Sequence, residues 1–180
     1  TQSDEALHVH TGKNLMQLIM ECAKDGRDLS PITGILGTVG GAVFGNAGQG
    51  PTGTWIDTYI ESVEFYHEES WKTYRKDECN FRYRDSAFKD MAKDRAVAAP
   101  ILWSTTLKIP QGETGDIEQE IQRLVERRLE TQPHIKTAGS CFKAVGDTPA
   151  WQLIDAAGLR GSTIGGVQIS EKHANFLINT

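Results

Sequence analysis

The segment GILGTVGGAVFGNAGQG, residues 34–50, constrains the fold of this chain more than any other stretch. It holds seven glycines in seventeen positions, interleaved with apolar residues such as Ile35, Leu36 and Phe44. Flexible linkers usually combine glycine with serine and little else. A segment that is both glycine-rich and apolar predicts a packed turn, in which the main chain approaches another object closely. On spacing alone, a neighbouring strand and a ligand explain that approach equally well.

The bulk properties narrow the class of protein. With 180 residues the chain can form one domain or two small ones. Its formal net charge of -5 argues against non-specific binding to nucleic acid. The sequence shows no apolar run near the ~18 residues of a membrane span and no signal peptide, and the absence of an initial Met is expected of a fragment. Three scattered cysteines indicate reduced thiols in a cytosolic protein, and neither they nor the histidines predict a metal site.

Hydrophobic periodicity predicts an α+β fold, or a mixed α/β fold, in two lobes. Alternation predicts strands at residues 6–10, 60–66 and 101–109, and residues 71–74 pair with the second strand as a hairpin. Within 101–109, Ile101 and Trp103 share a side with Leu107. Helical spacing predicts helices after Asn14, from 116 to before 133, and from 148 to 158, the last with Leu153, Ile154 and Ala157 inward. Turn chemistry at 110–115 marks the domain boundary.

Two stretches of the first predicted domain carry candidate binding groups. Small residues from Gly37 to Gly41 expose successive backbone N–H groups, which can form an anion-binding nest. The segment is neither a phosphate-binding P-loop nor a dinucleotide fingerprint. Arg84, in FRYRDSAFKD, is either a rigid guanidinium for a carboxylate or phosphate, or one half of a surface salt bridge with Asp85 or Asp90.

In the second predicted domain, Ser140 lies in TAGSCFKAVG, with the Lys143 cation three residues further on. The stretch has no GxSxG nucleophile elbow, so a hydrolase serine is not predicted. A serine after a glycine is most often a turn residue. The C-terminal stretch GLRGSTIGGVQISEKHANFLIN is either the rim of a binding site or a solvated turn before a strand.

In their order along the chain, these stretches resemble the UDP-N-acetylenolpyruvoylglucosamine reductases (the MurB family), also called UDP-N-acetylmuramate dehydrogenases. The resemblance runs from residue 34 to the C-terminus and matches the compact subtype, apparently truncated at both ends. The matching segments are GILGTVGGAVFGNAG, IESVEF, FRYRDSAFK, ILWSTTLKI, RRLETQP, AGSCFK and AWQLIDAAGLRGSTIGGVQISEKHANFLIN.

The resemblance implies a cytoplasmic flavoenzyme of peptidoglycan biosynthesis, monomeric if full length. NADPH reduces its FAD, which then passes a hydride to the enolpyruvyl group of UDP-N-acetylglucosamine to give UDP-N-acetylmuramate. The expected fold is the second subdomain of an FAD-binding domain, residues 1–109, followed by a smaller α+β substrate-binding domain, residues 110–180, without its C-terminal tail. The partner is a small-molecule substrate, with no nucleic acid and no membrane.

The resemblance also implies roles for individual residues. Ser140 matches the catalytic proton donor, and Arg84 matches the arginine that polarises the substrate carboxylate. Lys143 matches a cation on the substrate side. The FAD contacts are expected in the glycine-rich segment, at Gly37, Thr38, Val39, Gly40, Gly41, Asn46 and Gly48.

The chain departs from the family pattern at several positions. Leu36 replaces a usual proline, and Ala144 and Val145 replace Asn-Pro after Lys143. The first flavin subdomain and the tail with the assisting glutamate have no counterpart, which makes activity of the 180 residues alone doubtful. Two alternatives therefore stand beside the reductase: a non-catalytic UDP-sugar-binding remnant that has lost FAD, and a structural remnant without a ligand.

Overall fold

The computed structural model describes residues 6–49, 53–94, 97–133 and 136–180. The chain divides into two compact units, residues 1–122 and 123–180. The sequence-based boundary lies earlier, between residues 109 and 110, and the intervening residues include the first half of a helix, Thr114–Thr131. The two-domain assignment by cofactor and substrate stays a prediction.

The first unit is built on an antiparallel sheet of four strands in the order β1-β6-β4-β5. Strand β1 confirms the strand predicted at residues 6–10, and β4 and β5 confirm the hairpin predicted from residues 60–66 and 71–74. A second, two-stranded sheet pairs β2 with β3. The strands are β1 Leu7–His10, β2 Gly48–Gln49, β3 Thr54–Trp55, β4 Ile60–His67, β5 Ser70–Arg75 and β6 Ile101–Leu107, and the helices are α1 Leu15–Lys24, α2 Val39–Phe44 and α3 Ala87–Met91, with short 3-10 turns at Ser30–Ile32 and Ile56–Thr58.

The core of this unit follows from the alternation of its strands. Val63 and Phe65 are fully buried on β4, and the ring of Phe65 meets that of Phe88 from α3 at a centroid distance of 5.1 Å. Helix α1 begins where the sequence predicts, because the Asn14 side chain accepts a hydrogen bond from the Gln17 amide at 3.0 Å. Its buried residues follow the predicted helical spacing.

The prediction that Ile101 and Trp103 share a side with Leu107 is wrong. Leu107 is buried, whereas Ile101 is 62% and Trp103 50% exposed. The reason is a register shift in the β4–β6 ladder, in which Glu64 pairs with Ser104 and the next residue pairs with Leu102. The extra residue turns the first part of β6 to the opposite face.

The second unit carries a smaller antiparallel sheet in the order β7-β10-β9-β8. Its elements are β7 Thr137–Ser140, β8 Thr163–Ile164, β9 Val167–Ile169, β10 Phe176–Asn179 and helix α5 Ala150–Ala156, and helix α4 is Thr114–Thr131. The predicted strand end at 176–178 is confirmed. The predicted inward face of α5 is wrong: Leu153 is 46% exposed and Ala157 is exposed, while Ala150 is buried.

Candidate functional site

The glycine-rich segment folds into a turn followed by α2, and its last residue, Gly50, lies outside the described residues. Gly37 has a φ of 115°, which favours glycine. Thr38 caps α2, since its hydroxyl accepts a hydrogen bond from the Gly41 amide at 3.2 Å. The tip of the turn is exposed, and Leu36 shows 83% of its surface. The sequence prediction of a packed turn is therefore wrong for this tip, and the packed residues that follow it are helical, as α2.

The backbone amides of this segment mostly bond within the protein. The Val39 amide donates to the Lys13 carbonyl at 2.9 Å, and the Gly40 amide donates to the Thr11 carbonyl at 2.8 Å. With the Gly41 amide on Thr38, three of the amides expected to cradle an anion already have acceptors. An anion nest at residues 39–41 does not fit this arrangement.

The glycines themselves have two kinds of neighbourhood. A Cβ on Gly40 would lie 2.8 Å from the Thr11 Cβ, and one on Gly48 would meet the Trp55 ring, so packing alone requires glycine there. A Cβ on Gly37 would meet nothing within 4 Å, and the nearest atom to one on Gly41 is 3.7 Å away. The open side at the tip leaves room for another group to approach the main chain.

Arg84 is held against the end of the glycine-rich segment. Its Nη2 donates to the Gly48 carbonyl at 2.6 Å and its Nη1 to the Asn46 carbonyl at 3.4 Å. The buried side chain of Asn46 in turn donates to the Arg82 carbonyl at 3.1 Å. The structure thus brings together Arg84, Asn46 and Gly48, three residues that the sequence assigned to one site.

The alternative hypothesis, a surface salt bridge of Arg84 with Asp85 or Asp90, is wrong. Arg82 makes those contacts instead, with its Nη2 at 3.4 Å from Asp85 and 2.6 Å from Asp90. The hydrogen bond to Asp90 is the largest cause that raises the pKa of Arg82. Arg84 has a positive φ of 55°, and its guanidinium lies 5.8 Å from the centre of the Tyr83 ring. Two backbone acceptors and one ring fix its orientation.

In the second unit, Ser140 is the last residue of β7 and is exposed. It lies opposite Phe176 of β10, and the next amide, of Cys141, donates to the Asn175 carbonyl at 2.9 Å. The Asn175 side chain holds Phe142 from both sides, since it accepts from the Phe142 amide at 3.0 Å and donates to its carbonyl at 2.9 Å. The Ser140 backbone is therefore fixed immediately after the strand.

Asn175 was missed by the sequence analysis. It is 7% exposed and makes three of the bonds that hold residues 141–142. The available signal was a lone Asn before an apolar strand, in HANFLIN, which does not reveal a partner that is 33 residues away. Lys143 follows the segment that Asn175 holds, and it is exposed.

Around the end of α5, Asp155 and Arg160 form a polar cluster with the loop that follows. The Arg160 guanidinium bonds both carboxylate oxygens of Asp155, with Nε to Oδ1 at 2.6 Å, and its Nη1 donates to the Glu171 carbonyl at 2.6 Å. The bond from Arg160 lowers the pKa of Asp155. Burial lowers the pKa of His173, whose Nδ1 accepts from the Asn175 amide at 3.2 Å. The C-terminal stretch is thus a braced loop.

These features define an α+β chain in which an exposed glycine tip and a fixed arginine lie in one unit and a braced serine in the other. Residues 117–180 match the C-terminal domain of UDP-N-acetylenolpyruvoylglucosamine reductase. The chain is 39% identical over 150 residues to the reductase of that name from Pelobacter propionicus, covering 83% of this chain and 48% of the relative. It is 36% identical over 181 residues to that of Anoxybacillus flavithermus, covering 98% of this chain and 57% of the relative.

The solved structure of the Thermus caldophilus enzyme, UDP-N-acetylenolpyruvylglucosamine reductase, has the same fold. It matches 99% of this chain with a TM-score of 0.85 and 30% identity, and the match spans 63% of that chain. The resemblance to this reductase family and the α+β fold are thereby confirmed. The chain spans about half the length of the curated relatives it matches. No helix of the described residues is both long and apolar enough to cross a membrane.

Proposed function

We propose that this chain is part of a flavin-dependent reductase that converts UDP-N-acetylglucosamine enolpyruvate to UDP-N-acetylmuramate with NADPH, in peptidoglycan biosynthesis. The observation that carries the proposal is the match of nearly the whole chain, fold and sequence together, to proteins with this name. The reaction takes place in the cytoplasm on a small-molecule substrate, without nucleic acid or membrane.

FAD, when bound, supplies the hydride that the substrate carbon receives. The residues that would contact its ring are those of the exposed tip, Gly37 and Thr38, because Gly37 has no side chain and open space beside it. Gly41 lies beside them, on the exposed side of α2. Val39, Gly40, Asn46 and Gly48 support this tip through packing and internal hydrogen bonds. Their direct contact with the flavin stays a prediction.

Arg84 would hold the substrate carboxylate. A guanidinium has five N–H donors, and Arg84 uses donors of two of its nitrogens on the Gly48 and Asn46 carbonyls. The remaining donors can bind a carboxylate, and the charge persists at every physiological pH. As negative charge develops beside that carboxylate, a fixed cation stabilises it without reorganisation.

Ser140 would donate the proton that completes the reduction. Its hydroxyl is exposed at the end of β7, and Asn175 fixes the following residues. Lys143, three positions further along the chain, would contact the substrate through its positive charge. A positioned proton donor contributes about 10²–10⁴-fold to a rate.

The test uses the full-length protein and separates the two half-reactions. Ser140→Ala should leave the reduction of bound flavin by NADPH unchanged, and should lower turnover of the enolpyruvyl substrate about 10²–10⁴-fold. Ser162→Ala, an exposed serine of the same unit, is the matched control and should keep full turnover. A full-length protein that purifies without flavin, or a Ser140→Ala variant with wild-type turnover, would contradict the proposal.

A further inference from the structure

A cavity in the first unit lies apart from every residue assigned above. It has a volume of about 290 Å³ and is lined by β1, α1 and the turn that follows α1. Leu7, Val9 and Leu18 give it apolar walls, and Arg27 contributes a guanidinium. The volume is that of a small molecule rather than of a single water.

Arg27 is the unusual member of this lining. Its Nη1 is buried and has no hydrogen-bond partner in the part of the chain that the structure describes. A buried donor without a partner is unfavourable, more so when the group is charged. Cys22 is not its counterion, because burial raises the pKa of that thiol to about 11 and keeps it protonated at neutral pH.

The main chain fixes the origin of this side chain. The Arg27 amide donates to the Cys22 carbonyl at 2.9 Å, and Arg27 forms an isolated antiparallel bridge with Gln111. The Gly112 amide donates to the carbonyl of Gly26 at 2.8 Å. The backbone at Arg27 is thus held on both sides, so the binding of an anion would have to order only the side chain.

The charges of the lining disfavour an anion with more than one negative charge. Lys13 and Glu21 neutralise each other across 2.7 Å. Asp25 and Arg27 remain, and Arg27 makes no ion pair within the described residues. The four charged residues of the lining therefore sum to zero, so a bound monoanion leaves one negative charge uncompensated and a dianion leaves two.

We propose that this cavity binds a small organic monocarboxylate, with its carboxylate on the Arg27 guanidinium and its hydrocarbon part against Leu7, Val9 and Leu18. Bidentate geometry suits this pairing, because the planar fork of arginine matches the two oxygens of a carboxylate. No residue assigned to flavin or substrate lines the cavity, so the proposal does not depend on the proposed reaction.

The test is an amide NMR titration of the chain with butyrate, with inorganic phosphate as a second probe. Butyrate should cause saturable shifts confined to the amides around the cavity, including those of His8, Gly26 and Arg27. Arg27→Gln should weaken this binding about tenfold or more, because it removes the charged hydrogen bonds. Arg75→Gln, an exposed arginine of the same unit, is the charge-matched control and should bind as the wild type does.

Three outcomes would overturn the proposal: no saturable shift with butyrate, equal loss of binding in Arg75→Gln, or tighter binding of phosphate than of butyrate. Arg27→Lys is the second variant if Arg27→Gln fails to fold. It keeps the charge but loses the fork, so it should bind butyrate more weakly than the wild type and still show the same set of shifted amides.

Discussion

The two units differ in how their apolar residues are used. In the first unit Phe65 and Phe88 are fully buried. In the second, Ile164 is 86%, Val145 67% and Phe142 61% exposed. The first unit therefore gains its order mainly from burial of apolar surface. The second holds its loops by specific polar contacts, which are individually weaker and depend on single side chains.

This difference matters for function because each proposed catalytic group depends on the kind of order around it. Arg84 donates to carbonyls next to the core of the first unit. Ser140 ends a strand whose continuation is held by the side chain of Asn175. We therefore expect substitutions in the first unit to act through global stability, and substitutions in the second to act locally.

The largest expected effect is that of Phe65→Ala. Phe65 is fully buried and its ring meets those of Tyr74 at 4.8 Å and Phe88 at 5.1 Å. Loss of this ring should lower the free energy of unfolding of the first unit by about 3–5 kcal/mol. Denaturant unfolding measures the loss in free energy of unfolding, and hydrogen exchange with mass spectrometry should assign that loss to the first unit.

The neighbouring residue on the same strand is the control. Tyr66 is 36% exposed, and its ring meets that of Trp71 at 5.4 Å. Tyr66→Ala should cost about 1 kcal/mol or less. Equal losses for the two variants would mean that burial does not account for the order of this unit.

Asn175→Ala comes next and tests the polar order of the second unit. It removes the two bonds of Asn175 to the backbone of Phe142 and should lower local stability by about 1–3 kcal/mol. Hydrogen exchange at the Phe142 amide should accelerate, while exchange in β4 stays unchanged. Asn179→Ala, with an exposed side chain at the end of β10, should leave the Phe142 amide protected. Faster exchange throughout the first unit would contradict the local character of this contact.

The sequence predicts the elements that local patterns dictate. The alternation of β4 and the Asn14 cap of α1 are visible in a single stretch of residues, and both are confirmed. Helix α2 was missed because Gly40 and Gly41 mask its periodicity, although Thr38 is an ordinary cap. The bulge that exposes Trp103 and the bond of Asn175 to Phe142 arise from pairings between distant segments, which no local pattern encodes.

Thr38→Ala should have a smaller effect on stability than Phe65→Ala or Asn175→Ala. It removes the cap of α2 and should cost about 1 kcal/mol, whereas Thr38→Ser, which keeps the hydroxyl, should cost much less. The measurement is amide exchange at Gly41 together with denaturant unfolding. A loss of several kcal/mol would show that the exposed tip is coupled to the core more tightly than its exposure indicates.

The smallest effect concerns the Arg160–Asp155 pair in the second unit. The bond from Arg160 lowers the pKa of Asp155 below its ordinary value of 3.8. A carboxyl with a lowered pKa stabilises the folded state above its ordinary pKa, and this stabilisation is lost as the pH falls through the lowered value. Arg160→Gln should therefore raise the pKa of Asp155, measured by carboxyl NMR titration, and should reduce the loss of stability below pH 3.8.

The pair is exposed, so salt should weaken it. His173 affects stability from a higher pH. Burial lowers its pKa from 6.5, so the stability of the folded state begins to fall as the pH drops through 6.5. The two losses of stability begin at different pH values, but Arg160 also lowers the pKa of His173. Arg160→Gln should therefore raise the pKa of His173 as well as that of Asp155. If Arg160→Gln leaves the pKa of Asp155 unchanged, the braced loop after α5 is held by the backbone contacts of residues 161–170 rather than by this ion pair.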